Sequence, residues 1–105
     1  MNAYCLFDNI EVRDAAKLGE YAERVHEVVT AHGGRYLAVG GRVDQMEGDW
    51  SLSFPVLIEF PDLEAAHRWY DAPEYQELKA LRLSAATSNA VFFEGGPSDL
   101  VTDGG

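Results

Sequence analysis

The stretch from Gly40 to Arg82 reads GGRVDQMEGDWSLSFPVLIEFPDLEAAHRWYDAPEYQELKALR. Within it, Leu52 to Phe60 alternates apolar side chains and predicts a β-strand, because successive strand side chains point to opposite faces. Pro61-Asp62 follows directly and predicts the start of a helix, with Asp62 as the N-cap. Asp71-Ala72-Pro73 interrupts this helix, and Pro73 suits the first turn of a further helical segment that runs to Arg82.

The flanking sequence predicts three more strands and one more helix. Residues 3–10 are rich in strand-forming side chains, and residues 15–32 repeat apolar side chains at helical spacing. Gly33-Gly34 predicts the end of that helix, because glycine adopts the left-handed conformation that ends many helices. Short strands are predicted at 35–39 and 89–94. The resulting βαββαβ order predicts an α+β, ferredoxin-like fold, with a four-stranded antiparallel sheet that carries its helices on one face.

Length and composition indicate one acidic domain. A chain of 105 residues has room for a single domain, which we assign to residues 1–97, and residues 98–105 form a short acidic tail. The 18 acidic residues outnumber the 8 basic residues, and the formal net charge is -10. This charge repels phosphate backbones and anionic lipids, so we expect neither a nucleic acid nor a membrane as a partner. No signal segment opens the chain, and we therefore expect a cytoplasmic protein.

Both faces of the predicted sheet are apolar. In the strand that ends at Phe60, Val56 and Ile58 point to one face, while Leu57 points to the other. The two helical regions can cover only one of these faces, and a large exposed apolar patch usually marks an interface. We therefore expect a homodimer, with Phe7 and Leu57 as candidate positions on the helix-free face.

Several short segments, taken in order, resemble a known family, the domain of unknown function 1330 family. They are Gly33-Gly34-Arg35-Tyr36, Gly40-Gly41, Glu47-Gly48-Asp49-Trp50, Ile58-Glu59-Phe60-Pro61, Ala65-Ala66, Trp69-Tyr70, Pro73-Glu74-Tyr75 and Leu81-Arg82. The resemblance covers about residues 2 to 95. It implies a ferredoxin-like subunit of the dimeric α/β-barrel superfamily and a homodimer with its sheets back to back. That superfamily includes cofactor-free monooxygenases, isomerases and haem-degrading enzymes, so the resemblance implies no particular reaction.

Arg82 is the candidate binding residue with the clearest chemical rationale. It follows an apolar helix face, and a buried guanidinium must find acceptors because an unpaired buried charge is very costly. One interpretation is structural, in which Arg82 pairs with Glu47 or Glu59 or with backbone carbonyl groups. The other is functional, in which its planar fork anchors the carboxylate, enolate or phosphate of a small organic anion.

A pocket between helix and sheet is the expected place for such a ligand. Tyr70 and Tyr75 flank the break at Pro73, and Tyr75 lies two helical turns before Arg82 on the same face. Aromatic side chains at helical spacing are also typical of a core, and that alternative stays open. The candidate ligand-binding residues are Arg82, Tyr75, Tyr70, Gly40, Gly41, Glu59, Trp69 and Tyr36.

We expect no metal and no cofactor. Cys5 is the single cysteine and lies in an apolar run, which indicates a small buried side chain. His26, His32 and His67 lack the spacing of metal ligands, and the paired glycines lack the patterns of nucleotide-binding loops.

Two classes of function are consistent with these sequence features. The first is a cofactor-free enzyme that carries out proton transfer or oxygenation on a small organic acid, with Glu59, Glu47 or Asp8 as the base. The second is a non-catalytic homodimer that binds a small anion or serves as a structural module.

Overall fold

The computed structural model describes residues 1–96, which form one antiparallel sheet and three helices. The strands are β1 (Ala3–Val12), β2 (Arg35–Val39), β3 (Pro55–Phe60) and β4 (Ala86–Glu94). The helices are α1 (Ala15–Ala31), α2 (Leu63–Asp71) and α3 (Pro73–Ala85). The strand order is β2-β3-β1-β4, and every neighbouring pair is antiparallel. This arrangement confirms the predicted ferredoxin-like fold, and the sheet of the single chain is open. The predicted tail at 98–105 lies outside the described residues.

The helix boundaries follow the local signals. The carboxylate of Asp14 accepts a hydrogen bond from the amide of Lys17 at the start of α1, and Asp62 caps α2 through the amide of Ala65. α1 ends just before Gly33, which has a φ of 86°. α2 ends before Pro73, because a proline ring cannot continue a preceding helix but fits the first turn of the next one.

Two strands are longer than the sequence predicts. β1 runs to Val12 rather than to residue 10, and β4 begins at Ala86 rather than at residue 89. The two extensions are paired with each other, since Val12 lies opposite Ala86. Each extension is therefore held in strand conformation by pairing with the other. Neither has a local sequence signal of its own.

β3 is shorter than predicted and begins at Pro55 rather than at Leu52. The carboxylate of Asp8 accepts hydrogen bonds from the backbone amides of Ser53 and Phe54 at 2.9 and 2.7 Å. These two amides are thus bound by a side chain, and regular pairing of β3 with β1 starts after them. The buried Asp8 carboxylate fixes the end of the long loop between β2 and β3 to β1.

The core lies between the sheet and the helices and is built around Trp69. The Trp69 ring stacks on Phe60 at 5.5 Å between centroids and lies 4.5 Å from Tyr75. Phe7 packs edge-on against Trp69 at 6.0 Å and is only 5% exposed. The expectation that Phe7 faces a partner subunit is therefore wrong. β1 is paired so that Phe7 lies opposite Val56, on the helix-covered face.

The opposite face of the sheet carries a second apolar surface. Strand pairing places Leu6 opposite Leu57 on one side and opposite Val91 on the other. Tyr4 lies opposite Phe93, and their ring centroids are 5.6 Å apart. We call these five side chains the helix-free face. None of the three described helices packs on it, and Val91 and Phe93 are about half exposed.

Cys5 should not react with alkylating agents in the folded protein. It is fully buried, and burial raises the pKa of its thiol from 9.0 to about 12. Iodoacetamide at pH 8 is expected to label it only when urea unfolds the chain, as read by mass spectrometry. Because the folded-state pKa is the higher one, this thiol's contribution to stability is complete below about pH 9 and is lost as the pH rises towards 12. Rapid labelling without urea would contradict this.

Candidate functional site

A cavity of about 700 Å³ separates α1 from the helix-covered face of the sheet. It exists because α1 packs mainly on α3 and stands away from the strands. Its inner end is formed by buried side chains, among them Phe7, Val25 and Ile58. Its mouth is formed by exposed ones, including Val39 and Phe54. The walls are predominantly apolar, so the few polar groups that reach the cavity decide what it can bind.

Among residues 1–96, Arg82 is the one buried charged side chain that lines this cavity. Only 4% of the residue is exposed. Its Nη1 donates a hydrogen bond to the Ser88 hydroxyl at 2.6 Å. The guanidinium carbon lies 5.2 Å from the centre of the Phe7 ring, which is within cation–π distance. Its Nε is buried and has no hydrogen-bond partner among the described residues. The guanidinium is therefore held in place with bonding capacity left over.

Within residues 1–96, Arg82 differs from every other arginine in having no carboxylate partner. The other five all form ion pairs within residues 1–96. Glu59, a predicted partner of Arg82, instead accepts a hydrogen bond from Arg35 at 2.8 Å on the far side of the sheet. Glu47, the other predicted partner, lies on an exposed loop. Among the described residues, the structural ion pair proposed from the sequence does not form.

Three tyrosines act on the guanidinium, of which Tyr75 is fully buried and Tyr21 and Tyr70 are partly buried. Burial acts to lower the pKa of Arg82, but Tyr75, Tyr21 and Tyr70 act to raise it, and the net shift is upward. The Tyr75 and Tyr21 hydroxyls are 2.9 Å apart and join α3 to α1. Burial raises the pKa of Tyr21 far above its ordinary value, with Tyr75 as a further cause. The cavity thus holds a permanent cation beside a phenol, Tyr21, that stays protonated at neutral pH.

Asn9 lines the cavity at a β-bulge and was not among the predicted binding residues. The pairing of β1 with β4 shifts by one residue between Asn9 and Glu11, which leaves Ile10 unpaired. The Asn9 Oδ1 is buried and finds no hydrogen-bond partner in the part of the chain that the structure describes. Bulges often redirect side chains at functional sites. Nothing in the sequence marks this bulge, since it arises from the register between two distant strands.

His26 and Tyr36 form a ring stack at the edge of the cavity. Their centroids are 5.4 Å apart and their planes are within 12° of parallel. Tyr36 was predicted from the sequence, and burial raises its pKa to about 12. His26 was not predicted, although it lies on the apolar face of α1 and is the only imidazole among the described residues that line the cavity. Imidazole is the side chain best suited to exchange a proton at neutral pH.

The structure brings together only part of the predicted set. Arg82 and Tyr36 line the cavity, and Tyr75 adjoins it through its hydrogen bond to Tyr21. Trp69 belongs to the core instead, because its ring is enclosed between sheet and helices. Tyr70 packs on that core, and the Lys79 ammonium lies 4.2 Å from the centre of its ring.

The remaining predicted residues lie elsewhere. Gly40 has a φ of 65°, and a Cβ there would lie 2.5 Å from the Phe54 ring, so Gly40 makes room for a residue of the cavity wall without lining it. Gly41 has open space around it and belongs to the loop. Glu59 faces the opposite side of the sheet, because the cavity-lining Ile58 precedes it in the strand.

Within residues 1–96, none of the predicted catalytic bases reaches the cavity. Glu59, Glu47 and Asp8 all lie outside its lining, and no other carboxylate takes their place. The same residues contain no group of three potential metal ligands. None of the described helices is long and apolar enough to cross a membrane.

The fold and the cavity define a ferredoxin-like protein with an internal space of the size of a small organic molecule. The chain belongs to the family described as a domain of unknown function, DUF1330, whose model matches residues 2–96. A comparison with curated proteins gives no match.

Solved structures with the same fold share little sequence with this chain. A protein of unknown function from Rhodopseudomonas palustris is 17% identical, with a TM-score of 0.72 over 91% of this chain and 83% of that one. A variant of SnoaB, a cofactor-independent oxygenase from Streptomyces nogalater, is 16% identical, with a TM-score of 0.69 over 92% and 95%. A dimeric protein of unknown function from Bacteroides fragilis is 14% identical, with a TM-score of 0.56 over 90% and 96%.

Proposed function

We propose that the protein is a homodimer that binds a small organic anion in the cavity between α1 and the sheet. The observation that carries this proposal is the environment of Arg82. A buried guanidinium without a carboxylate is costly, and this chain has 18 acidic residues from which to supply one. Within residues 1–96, Arg82 instead lines a cavity, its Nε is unpaired, and the groups that interact with its guanidinium, such as the Ser88 and Tyr75 hydroxyls, are neutral. An anionic ligand would neutralise this charge.

The rest of the cavity supports an organic ligand over an inorganic ion. Its volume of about 700 Å³ lies in the ordinary range for sites that bind small organic molecules. Its apolar walls would bury a hydrocarbon framework, and Tyr21 and Asn9 add two polar side chains near the inner end. Such a division between apolar wall and few polar groups is how small-molecule sites fix the orientation of a ligand.

The homodimer is supported by the helix-free face and by one structural neighbour. Five apolar side chains cover the centre of the sheet, and no described helix packs on them. The Bacteroides fragilis neighbour is a dimeric protein. We propose that two copies place these faces back to back, which is the arrangement of the dimeric α/β-barrel superfamily.

A second candidate function is cofactor-free catalysis on the bound acid, by proton transfer or oxygenation. Two observations favour it. His26 is an imidazole at the edge of the same cavity, and a structural neighbour, SnoaB, is described as a cofactor-independent oxygenase. In this mechanism His26 takes a proton from the ligand, while Arg82 stabilises the negative charge that develops. The alternative is binding without chemistry, which needs only Arg82 and the cavity.

Binding of 2-naphthoate tests the proposed function. At ten times its dissociation constant the acid is expected to stabilise the fold by about 1.4 kcal/mol and to raise the melting temperature by roughly 5–10 °C. The neutral 2-naphthamide, of nearly the same shape, is expected to give a clearly smaller shift, because it cannot neutralise Arg82. Equal shifts from acid and amide, or none from either, would refute an anion site. If the wild type converts an organic acid, loss of that conversion in His26→Gln with binding retained would show that the protein is an enzyme and that His26 acts in the reaction.

A further inference from the structure

We propose that Gly19 determines the specificity of the cavity, because its missing side chain keeps open a flat slot through which an aromatic anion reaches Arg82. The ligand class is an aromatic carboxylate or phenolate of one or two rings. This inference rests on the proposed function, since it specifies the ligand that the same cavity would take.

The slot is formed on one side by small residues of α1. Ala15, Gly19 and Ala22 are exposed, lie about one turn apart on the helix and line the cavity. A stripe of small residues has little meaning alone. Here Arg82 lines the same cavity at 4% exposure, and its Nε has no hydrogen-bond partner within residues 1–96, so the stripe borders a cavity with a buried cation that can still donate one hydrogen bond. Ala15, Gly19 and Ala22 thus form part of the exposed rim of the cavity that Arg82 lines.

Neither helix stability nor packing accounts for a glycine at this position. Gly19 lies inside the 17-residue helix α1, where glycine is the poorest helix former apart from proline. A Cβ at Gly19 would meet no atom within 4 Å. At Gly34, in contrast, a Cβ would lie 2.7 Å from both Phe60 and Val29, so packing there requires a glycine. Gly19 lines the cavity, so a side chain at position 19 would occupy open space of that cavity.

The other walls carry aromatic rings among aliphatic side chains, and these rings favour a planar ligand. Tyr36 and Phe54 contribute rings from the sheet side, and Phe7 contributes one at the inner end. The nearly parallel stack of His26 on Tyr36 joins α1 to β2 at one end of the slot. Aromatic rings gain most from offset or edge-on contact with other rings, which a flat conjugated ligand provides and a puckered saturated one does not.

Calorimetric titration with two probes of equal charge tests the inference. The wild type is expected to bind 2-naphthoate about tenfold more tightly than the saturated, puckered decalin-2-carboxylate. Gly19→Leu, which fills the slot, is expected to weaken naphthoate binding by about tenfold or more, and Ala22→Leu is expected to act in the same direction. Ala16→Leu is the matched control, because Ala16 is exposed on the same helix but does not line the cavity, and it is expected to change affinity by less than about twofold.

The outcomes separate this inference from the proposed function. If wild-type protein binds naphthoate and loses it in Arg82→Met, but Gly19→Leu and Ala22→Leu bind it normally, only the role of Gly19 is overturned. Equal affinity for the two probes overturns the planar ligand class. If wild-type protein binds neither acid, the proposed function itself fails. Melting curves of each variant show that it is folded, and leucine at position 19 is expected to raise the melting temperature, since leucine is the better helix former.

Discussion

Leu57→Asp is expected to turn the proposed homodimer into a monomer at micromolar concentration. Light scattering should report the chain mass of 11.6 kDa in place of twice that value. Leu57 lies on the helix-free face opposite Leu6, next to the half-exposed Val91 and Phe93. A carboxylate buried between two such faces would lose its hydration without gaining a partner, at a cost of several kcal/mol. In the monomer the same carboxylate stays in water, so the fold should survive.

Leu83→Asp is the matched control for this experiment. Leu83 is 52% exposed on α3, away from the helix-free face, so the same substitution there should leave the proposed homodimer intact. Phe7→Asp is not a test of assembly, because Phe7 packs against Trp69 and Phe92 in the core and its loss would unfold the chain. A dimeric Leu57→Asp variant, or a monomeric wild type, would remove the basis for a dimer that uses this face.

The parts of the fold that the sequence predicts are those set by short-range chemistry. Asp62 caps α2 because its carboxylate is three residues from the amide that it accepts from. Gly33 and Pro73 fix helix boundaries through their own backbone preferences. The strand at Pro55–Phe60 follows from alternation. These signals lie within a few residues of their effect, so the element order and fold class were predictable.

The features that the sequence does not predict depend on residues far apart in the chain. The start of β3 is set by Asp8, which is 45 residues from Ser53. The face to which Phe7 belongs depends on the register of β1 against β3, and an error of one residue moves a side chain through the sheet.

The candidate site divides in the same way. The burial of Arg82 was predictable from the apolar helix face that it follows, and Tyr36 was predictable as part of a wall. The contribution of α1 to the cavity wall was not predictable, because it depends on the distance between that helix and the sheet. Gly19, His26 and Asn9 therefore entered the site only with the structure. Local sequence indicates which side chains are unusual, while the packing of one helix decides which of them share a cavity.

Arg82→Met is expected to remove anion binding with almost no loss of stability. Methionine keeps an unbranched apolar chain against Phe7 and removes a buried charge that has no carboxylate partner within residues 1–96. The cost is the hydrogen bond to Ser88, whose hydroxyl is left without that donor. We therefore expect the free energy of unfolding, from urea titration, to change by no more than about 1 kcal/mol. Affinity for 2-naphthoate is expected to fall by about 10- to 100-fold, the value of a hydrogen bond to a charged group.

Arg35→Met supplies the matched control, since it removes a guanidinium from an exposed ion pair with Glu59 outside the cavity. Its stability should change by less than about 1 kcal/mol, and its affinity for naphthoate should be that of the wild type. A loss of about 3–5 kcal/mol in Arg82→Met would show that Arg82 serves a structural ion pair after all, because that is the cost of stranding a buried partner. Retained affinity would place the anion elsewhere. The two measurements thus separate a ligand anchor from a structural arginine, since a ligand anchor alone combines unchanged stability with lost binding.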